Sequence, residues 1–146
     1  MRKYLKKVLT DLPSEFNGTA VTPANEHLFK INELCTKLDR EKADLFHHVV
    51  KQLLFLSKRE RPDILTSIAF LTTRVKSPDE DDYKKLQRCI AYLRNTANLT
   101  LTLEADGSGT INWWVDAAFA VHDDMKSRIG MIMSFRKGAV YAALFK

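Results

Sequence analysis

The hydrophobic pattern of this chain changes its period at Asn98, and that change constrains the fold more than any other feature. Before Asn98, apolar residues recur three and four positions apart, as on one face of a helix; after it they alternate, as in a strand. Helices followed by strands, rather than alternating with them, indicate an α+β arrangement or two part-domains. With 146 residues, 45% of them hydrophobic, the chain can form one ordinary domain or join parts of two.

The first 98 residues divide into helices separated by prolines and charged turns. Apolar spacing predicts a short amphipathic helix that ends at Pro13. Residues 13–40 show no sustained period, so we expect a long extended connection in which the chain crosses between units. Pro62 suits the first turn of a helix. Three helices are predicted after the connection, at about 41–57, 62–76 and 79–94.

The remaining residues carry the pattern of an antiparallel sheet. Leucines alternate with polar residues over 99–104, which predicts a half-buried strand, and the run DGSG at 106–109 is a turn signal. Further strands are predicted at 111–118, 129–135 and 139–145, with tight turns at 123–127 and 136–138. A four-stranded antiparallel sheet is the simplest arrangement of these elements.

One acidic residue stands out in the second of these strands. Asp116 is a lone carboxylate near the end of the apolar run INWWVDAA. A strand that is apolar on both faces is normally buried, and a buried carboxylate without a partner costs much free energy. We therefore expect Asp116 to be buried and to have either a partner or a metal ion.

The order and spacing of several short motifs resemble a known family. The motifs are a leucine-rich helix, the RPDI sequence at 61–64, a prolyl turn before the next helix, a YL pair at 92–93, and the stretch WWVDAAFAVHDDMKSRIG at 113–130. Together with KYLKKVL and VTPANEHLF nearer the start, they resemble the carboxy-terminal part of the reverse transcriptase of Ty1/copia-type retrotransposons. The resemblance covers nearly the whole chain.

The resemblance implies a division into three regions and a truncated fold. Residues 1–40 would be a short helix and an extended connection, and 41–98 would be the helical region of the reverse transcriptase connection. Residues 99–146 would be the amino-terminal strands of a ribonuclease H-like domain, left incomplete because the chain ends at Lys146. The fold class expected is α+β, a three-helix connection region followed by an antiparallel sheet.

The same resemblance implies a parent enzyme whose active sites are only partly present. The YVDD-like motif that binds the polymerase metals occurs nowhere in this chain. Ribonuclease H activity requires two metal ions held by several acids, and Asp116 matches only the acid of the first strand. One carboxylate would hold Mg²⁺ weakly, so the chain is expected to be inactive alone. Ala118 stands where many relatives have a second Asp, which indicates a decayed or truncated copy. Asp123 and Asp124 are nearby, but capping of a turn is favoured for both.

A nucleic-acid partner is compatible with the charge of the chain. The formal net charge is +5, which fits a polyanionic partner and equally fits ordinary solubility. Four cations, Lys84, Lys85, Arg88 and Arg94, could follow a phosphate backbone along one helix, although a solvated helix face would look the same. Two functions remain open. One is a catalytically incomplete retrotransposon polyprotein fragment whose parent acts on RNA/DNA hybrid; the other is a non-enzymatic nucleic-acid-binding or interaction module derived from a retroelement.

Other residues offer less chemistry. Cys35 and Cys89 lie in no CxxC spacing, and we expect both to be reduced, buried and inert. His47 and His48 are adjacent, so on a helix they would point about 100° apart and could not share a metal. No signal peptide and no apolar run long enough for a membrane span are seen, which predicts an intracellular protein, cytoplasmic or nuclear, without a membrane partner.

Overall fold

The protein is an α+β structure with helices first and strands after them, as the sequence predicts. The computed structural model describes residues 1–118 and 127–145. In this part of the chain the helices are α1 (Arg2–Thr10), α2 (Arg40–Arg59), α3 (Leu65–Thr72) and α4 (Glu80–Asn95), with 3₁₀ turns at Ser14–Phe16 and Pro62–Ile64. The strands are β1 (Glu104–Ala105), β2 (Asn112–Ala118), β3 (Arg128–Ser134), β4 (Arg136–Lys137) and β5 (Tyr141–Phe145).

Local capping explains where the two long helices begin. The Asp39 side chain accepts a hydrogen bond from the Lys42 backbone N–H at the start of α2. Asp79 and Asp82 form a capping box at the start of α4, in which each side chain accepts from the other's backbone N–H. Both helices begin and end within two residues of the predicted bounds. The caps form between residues two or three apart in the sequence, so they depend only on local sequence.

The middle helix is shorter than its apolar pattern predicts. It begins as a 3₁₀ turn at Pro62, becomes α3, and ends at Thr72, whereas the pattern predicts helix to about residue 76. After Thr72 the backbone tightens into bonds between residues three apart. The Arg74 guanidinium pairs with Asp82 and Asp79, at 3.0 and 3.1 Å. This pairing draws the chain directly into the start of α4.

The helices share one hydrophobic core with the segment that connects α1 to α2. Leu53, Ile68 and Leu86, from α2, α3 and α4, are fully buried. Phe16 and Leu28 of the connecting segment are buried in the same core, and the Phe16 ring lies 5.2 Å from that of Tyr83. The described segment has no α-helix or strand, as predicted, but it lies against the helices rather than running free.

The predicted four-stranded sheet is wrong. Residues 99–103 form no strand, and the Leu103 side chain is 57% exposed. Within residues 1–118 and 127–145 the strands form a three-stranded antiparallel sheet in the order β2-β3-β5 and a separate two-stranded ribbon of β1 and β4. Ion pairs of Glu104 with Arg136 and Lys137 hold the ribbon. Leu99 and Leu103 are exposed, so alternation alone did not bury them.

The turn between β4 and β5 requires glycine. Gly138 has a φ of 73°, and a Cβ atom there would meet the Thr102 carbonyl oxygen at 2.1 Å. The other turn, predicted at 123–127, lies mostly outside the described residues, and so do Asp123 and Asp124. The ribonuclease H-like identity of the sheet stays a prediction.

The two faces of the three-stranded sheet have different surroundings. One face carries Trp114 and Asp116 of β2 and, through the pairing of β2 with β3 and β3 with β5, Leu144 of β5. Strand β5 contacts α3. The opposite face is apolar and largely exposed; its exposed members are Trp113, Val115, Ile129, Tyr141 and Phe145. Exposed apolar patches and uncovered edge strands promote association. The exposed apolar face therefore predicts poor solubility of the chain alone.

A buried guanidinium connects the turn after α2 to the end of α4. The Arg61 side chain donates to Asp63 at 2.7 Å, to the Thr96 hydroxyl at 2.6 Å and to the Thr96 carbonyl at 3.1 Å. The Tyr92 hydroxyl also donates to Asp63, at 2.8 Å. Burial alone would raise the pKa of Asp63, but the hydrogen bonds from Arg61 and Tyr92 outweigh it and leave that pKa below its ordinary value.

Asp63→Asn should lower the free energy of unfolding by about 2 kcal/mol at pH 7, because it leaves the buried Arg61 charge without its partner. The folded-state pKa of Asp63 lies below the unfolded value, so its stabilisation is present above about pH 4 and is lost as the pH falls through the folded pKa. The difference between variant and wild type should therefore shrink below pH 4 in urea titrations.

Glu104→Gln is the matched control for this prediction. Its partners Arg136 and Lys137 are exposed, so its effect should stay below about 0.5 kcal/mol. Equal losses for the two variants would contradict the structural importance of the Arg61 network.

Val115→Lys should slow self-association of the purified chain, followed by light scattering, because it places a charge on an exposed edge strand. Val115 is 63% exposed, so the free energy of unfolding should change by less than about 0.5 kcal/mol. Leu34→Lys makes the same change at an exposed residue away from the sheet. If both variants associate at the same rate, the sheet face is not the associating surface.

Candidate functional site

Asp116 is exposed, so the prediction of a buried carboxylate is wrong. It lies on β2, opposite Gly130 of β3, and shares its face of the sheet with Trp114. Together these residues line part of a cleft of about 390 Å³ between the sheet and the start of α3. In the described part of the chain β2 is an edge strand, and the helices contact the sheet chiefly at β5. An apolar run on an edge strand therefore stays open to solvent.

The described residues around Asp116 do not fit a two-metal site. Asp116 is the one acid among the residues that line the cleft. In residues 1–118 and 127–145, no group of three His, Cys, Asp or Glu side chains could hold a metal ion. Mg²⁺ prefers several oxygen ligands in near-octahedral geometry, and a two-metal hydrolysis needs more carboxylates still. No hydrolytic step can be built from these residues alone.

Three of the four predicted nucleic-acid-binding residues lie together. Lys84, Lys85 and Arg88 of α4 line one side of a groove of about 690 Å³, and residues 24–32 of the connecting segment form the other side. The spacing of three and four residues places them on one helix face. This groove between α4 and 24–32, here called the basic groove, also includes His27 and Lys30.

The cations of the basic groove differ in whether their side chains already have partners within the protein. Lys84 is exposed and makes no ion pair or hydrogen bond with its side chain in the described part. The Lys85 ammonium is held by Asp81 at 2.8 Å and by the Lys30 carbonyl at 2.6 Å. Arg88 donates to the Thr22 hydroxyl at 2.9 Å, whereas its buried Nε has no acceptor. Lys85 therefore helps to build the groove, and Lys84 is available to a ligand.

Arg94 is separate from the basic groove. Its guanidinium donates to the Leu9 carbonyl at 2.7 Å, near the end of α1. Arg94 follows Arg88 by six residues, which rotates it by about 240° around the helix. The position of Arg94 in the structure indicates a role in holding α1 against α4.

His27 and Lys30 were not identified as site residues from the sequence. They belong to a segment with no regular period, so no helix face or strand face could be assigned to them. Burial of Leu28 in the helical core brings the segment onto α4 and places both residues at the groove. The charge of Lys30 close to Leu28 was the available signal, but its location depends on tertiary packing.

The cysteines offer no nucleophile in the groove or the cleft. Both are free thiols; Cys89 is buried, but Cys35 is only half-buried, so the prediction that both are buried is wrong for Cys35. Burial, and after it the charge of Asp63, raises the pKa of the Cys89 thiol to about 12. A thiol with that pKa is almost wholly protonated near neutral pH.

Comparison with protein-family models, with curated proteins and with solved structures found no match for this chain. Among the helices of the described residues, none is both long and apolar enough to cross a bilayer. The chemistry of the basic groove and of the Asp116 cleft therefore carries the functional interpretation.

Cys35 should react with a thiol reagent in the native protein at pH 8, whereas Cys89 should react only after unfolding. The reason is the difference in burial together with the raised pKa of Cys89. Mass spectrometry of the labelled chain would show one adduct in buffer and two in denaturant. Cys35→Ser provides the control, because it should remove the native adduct; rapid native labelling of Cys89 would contradict its burial.

Proposed function

We propose that this chain is the connection region and the first ribonuclease H-like strands of a Ty1/copia-type retrotransposon polyprotein, which acts as RNA-directed DNA polymerase and ribonuclease H. The observation that carries the proposal is the Arg61 network. Arg61 and Asp63 come from the RPDI motif, Tyr92 comes from the YL motif, and the structure brings them into contact. Because the RPDI and YL motifs contact each other, they belong to one structural unit. This contact supports treating them as parts of one family pattern rather than as separate chance matches.

The order of the elements and the position of Asp116 give further support. A helical unit precedes an antiparallel sheet, as the resemblance requires. The Asp116 carboxylate is open to solvent, so a metal ion could reach it from the cleft. The ribonuclease H-like fold and the intracellular location are part of the proposal.

Alone, the chain would be catalytically incomplete. Asp116 could contribute one carboxylate to Mg²⁺, and Ala118, on the same face of β2, contributes none. Weak binding of Mg²⁺ follows, because a cation that keeps most of its water needs more ligands to be held in place. In the parent polyprotein, other segments would supply the missing acids.

Binding of nucleic acid would be the activity that this chain retains. Four Lys or Arg side chains line the basic groove against a single acid, Asp81, which Lys85 already pairs. Phosphates that contact such cations release condensed counterions, so affinity falls steeply with salt. RNA/DNA hybrid is the ligand expected from the parent activity.

The basic groove also favours a second candidate function. A non-enzymatic nucleic-acid-binding or interaction module derived from a retroelement would need the groove but not Asp116. The sequence that flanks this reading frame distinguishes the two functions. An upstream YVDD-like motif and downstream acids in frame would support a polyprotein fragment, and their absence would support the module.

The purified chain should bind a labelled RNA/DNA hybrid without cutting it in Mg²⁺, because its described acids cannot hold two metal ions. Binding is measured by fluorescence anisotropy over a series of salt concentrations, and cleavage by gel electrophoresis. The expected result is a steep decrease in affinity with salt and no cleaved RNA.

Asp116→Asn is the matched control, since it keeps the shape of the side chain and removes the charge. Cleavage by the wild type that this substitution abolishes would contradict catalytic incompleteness. Absence of hybrid binding at low salt would contradict the proposed binding activity.

A further inference from the structure

We propose that the basic groove seats an unpaired nucleotide, so that this chain prefers single-stranded nucleic acid to a duplex of the same sequence. The inference rests on the proposed function, in which the chain binds nucleic acid, and it specifies which form of nucleic acid the groove binds more tightly. Three features of the groove carry it, namely its concave shape, its apolar floor and its cations that have no protein partner.

The cations line a concave groove rather than a convex surface. The groove lies between α4 and residues 24–32 and has a volume of about 690 Å³, within the range of pockets that enclose small ligands. Lys85 is drawn towards the connecting segment by the Lys30 carbonyl, and Arg88 by the Thr22 hydroxyl. A duplex presents its phosphates on a broad convex surface, whereas one unpaired nucleotide can enter a groove of this size.

The floor of the groove suits the face of a base. Ala24, Leu28 and Ile31 supply apolar surface, and Ile31 remains exposed although it is a large hydrophobic residue. An unpaired base can place its apolar face on such a floor, but a base inside a duplex has both faces covered by its neighbours. The floor therefore adds a contact that only a single strand can use.

Donors without acceptors surround this floor. Neither Lys30 nor Lys84 has a side-chain partner in the described part of the protein, and both are exposed. Arg88 of α4 adds a third cation to the groove, and its terminal nitrogen donates to the Thr22 hydroxyl at 2.9 Å. A phosphate placed between α4 and the connecting segment would meet cations from both sides, with the base lying on Ile31.

Salt dependence tests the phosphate contacts. Each phosphate contact on a single strand contributes about 0.7 to the slope of log affinity against log salt, so losing two should reduce the slope by about 1.4. Lys30→Gln combined with Lys84→Gln should show this reduction with oligo-deoxythymidylate in anisotropy titrations. The pair Lys6→Gln and Lys51→Gln removes the same charge at exposed residues outside the groove lining, and should leave the slope nearly unchanged.

A second measurement isolates the base contact. Ile31→Ser should weaken binding of oligo-deoxythymidylate about fivefold, as expected from the loss of buried apolar area, without changing the salt slope. With an oligonucleotide that carries only abasic sugar-phosphates, the same variant should bind like the wild type. Val21→Ser is the control, because Val21 is exposed in the same segment and does not line the groove.

The outcomes separate this inference from the proposed function. Preference of the wild type for the single strand over the matching duplex by about fivefold or more, with both variant results, would support the groove as a nucleotide site. Equal affinity for the two forms, or equal effects of Ile31→Ser and Val21→Ser, would overturn the inference while hybrid binding could still stand. Failure to bind hybrid, duplex and single strand alike would contradict both.

Discussion

The structure depends most on the burial of one guanidinium. Arg61 is only 1% exposed, and a buried charge is tolerated only when it is paired and fully hydrogen-bonded. Asp63 and Thr96 supply the acceptors for its side chain, while its backbone N–H donates to Leu56 in the last turns of α2. The group therefore joins the end of α2, the turn before α3 and the end of α4. Removing the Asp63 carboxylate would leave the buried charge without its ion-pair partner.

The two aspartates, Asp63 and Asp116, differ in their surroundings. Asp63 is held by Arg61 and Tyr92, and its pKa is lowered although burial acts in the opposite direction. Asp116 stands on an edge strand, open to solvent, in a cleft that is otherwise mostly apolar. The helical core pairs its charges internally, whereas the sheet leaves its one acid at the cleft available. Chemistry at Asp116 would therefore depend on groups supplied by other segments.

The basic groove exists because a segment without regular structure packs on the helical core. Phe16 and Leu28 bury their side chains there, and hydrogen bonds from Lys85 and Arg88 hold the chain on either side of Leu28. The apolar contacts provide the stability, and the polar contacts determine where the cations lie. A helix face that would otherwise be an ordinary solvated surface becomes one side of the basic groove.

The α2 and α4 helices and the switch from helices to strands could be predicted because apolar spacing and caps such as Asp79 act between residues close in sequence. The early end of α3, the failure of 99–103 to form a strand, and the exposure of Asp116 could not. The sequence also could not predict that His27 and Lys30 lie at the same groove as Lys84. Each depends on which distant element covers or pairs with a segment, and local patterns carry no information about that partner. Tertiary packing therefore decided the site, whereas local interactions determined the helices around it.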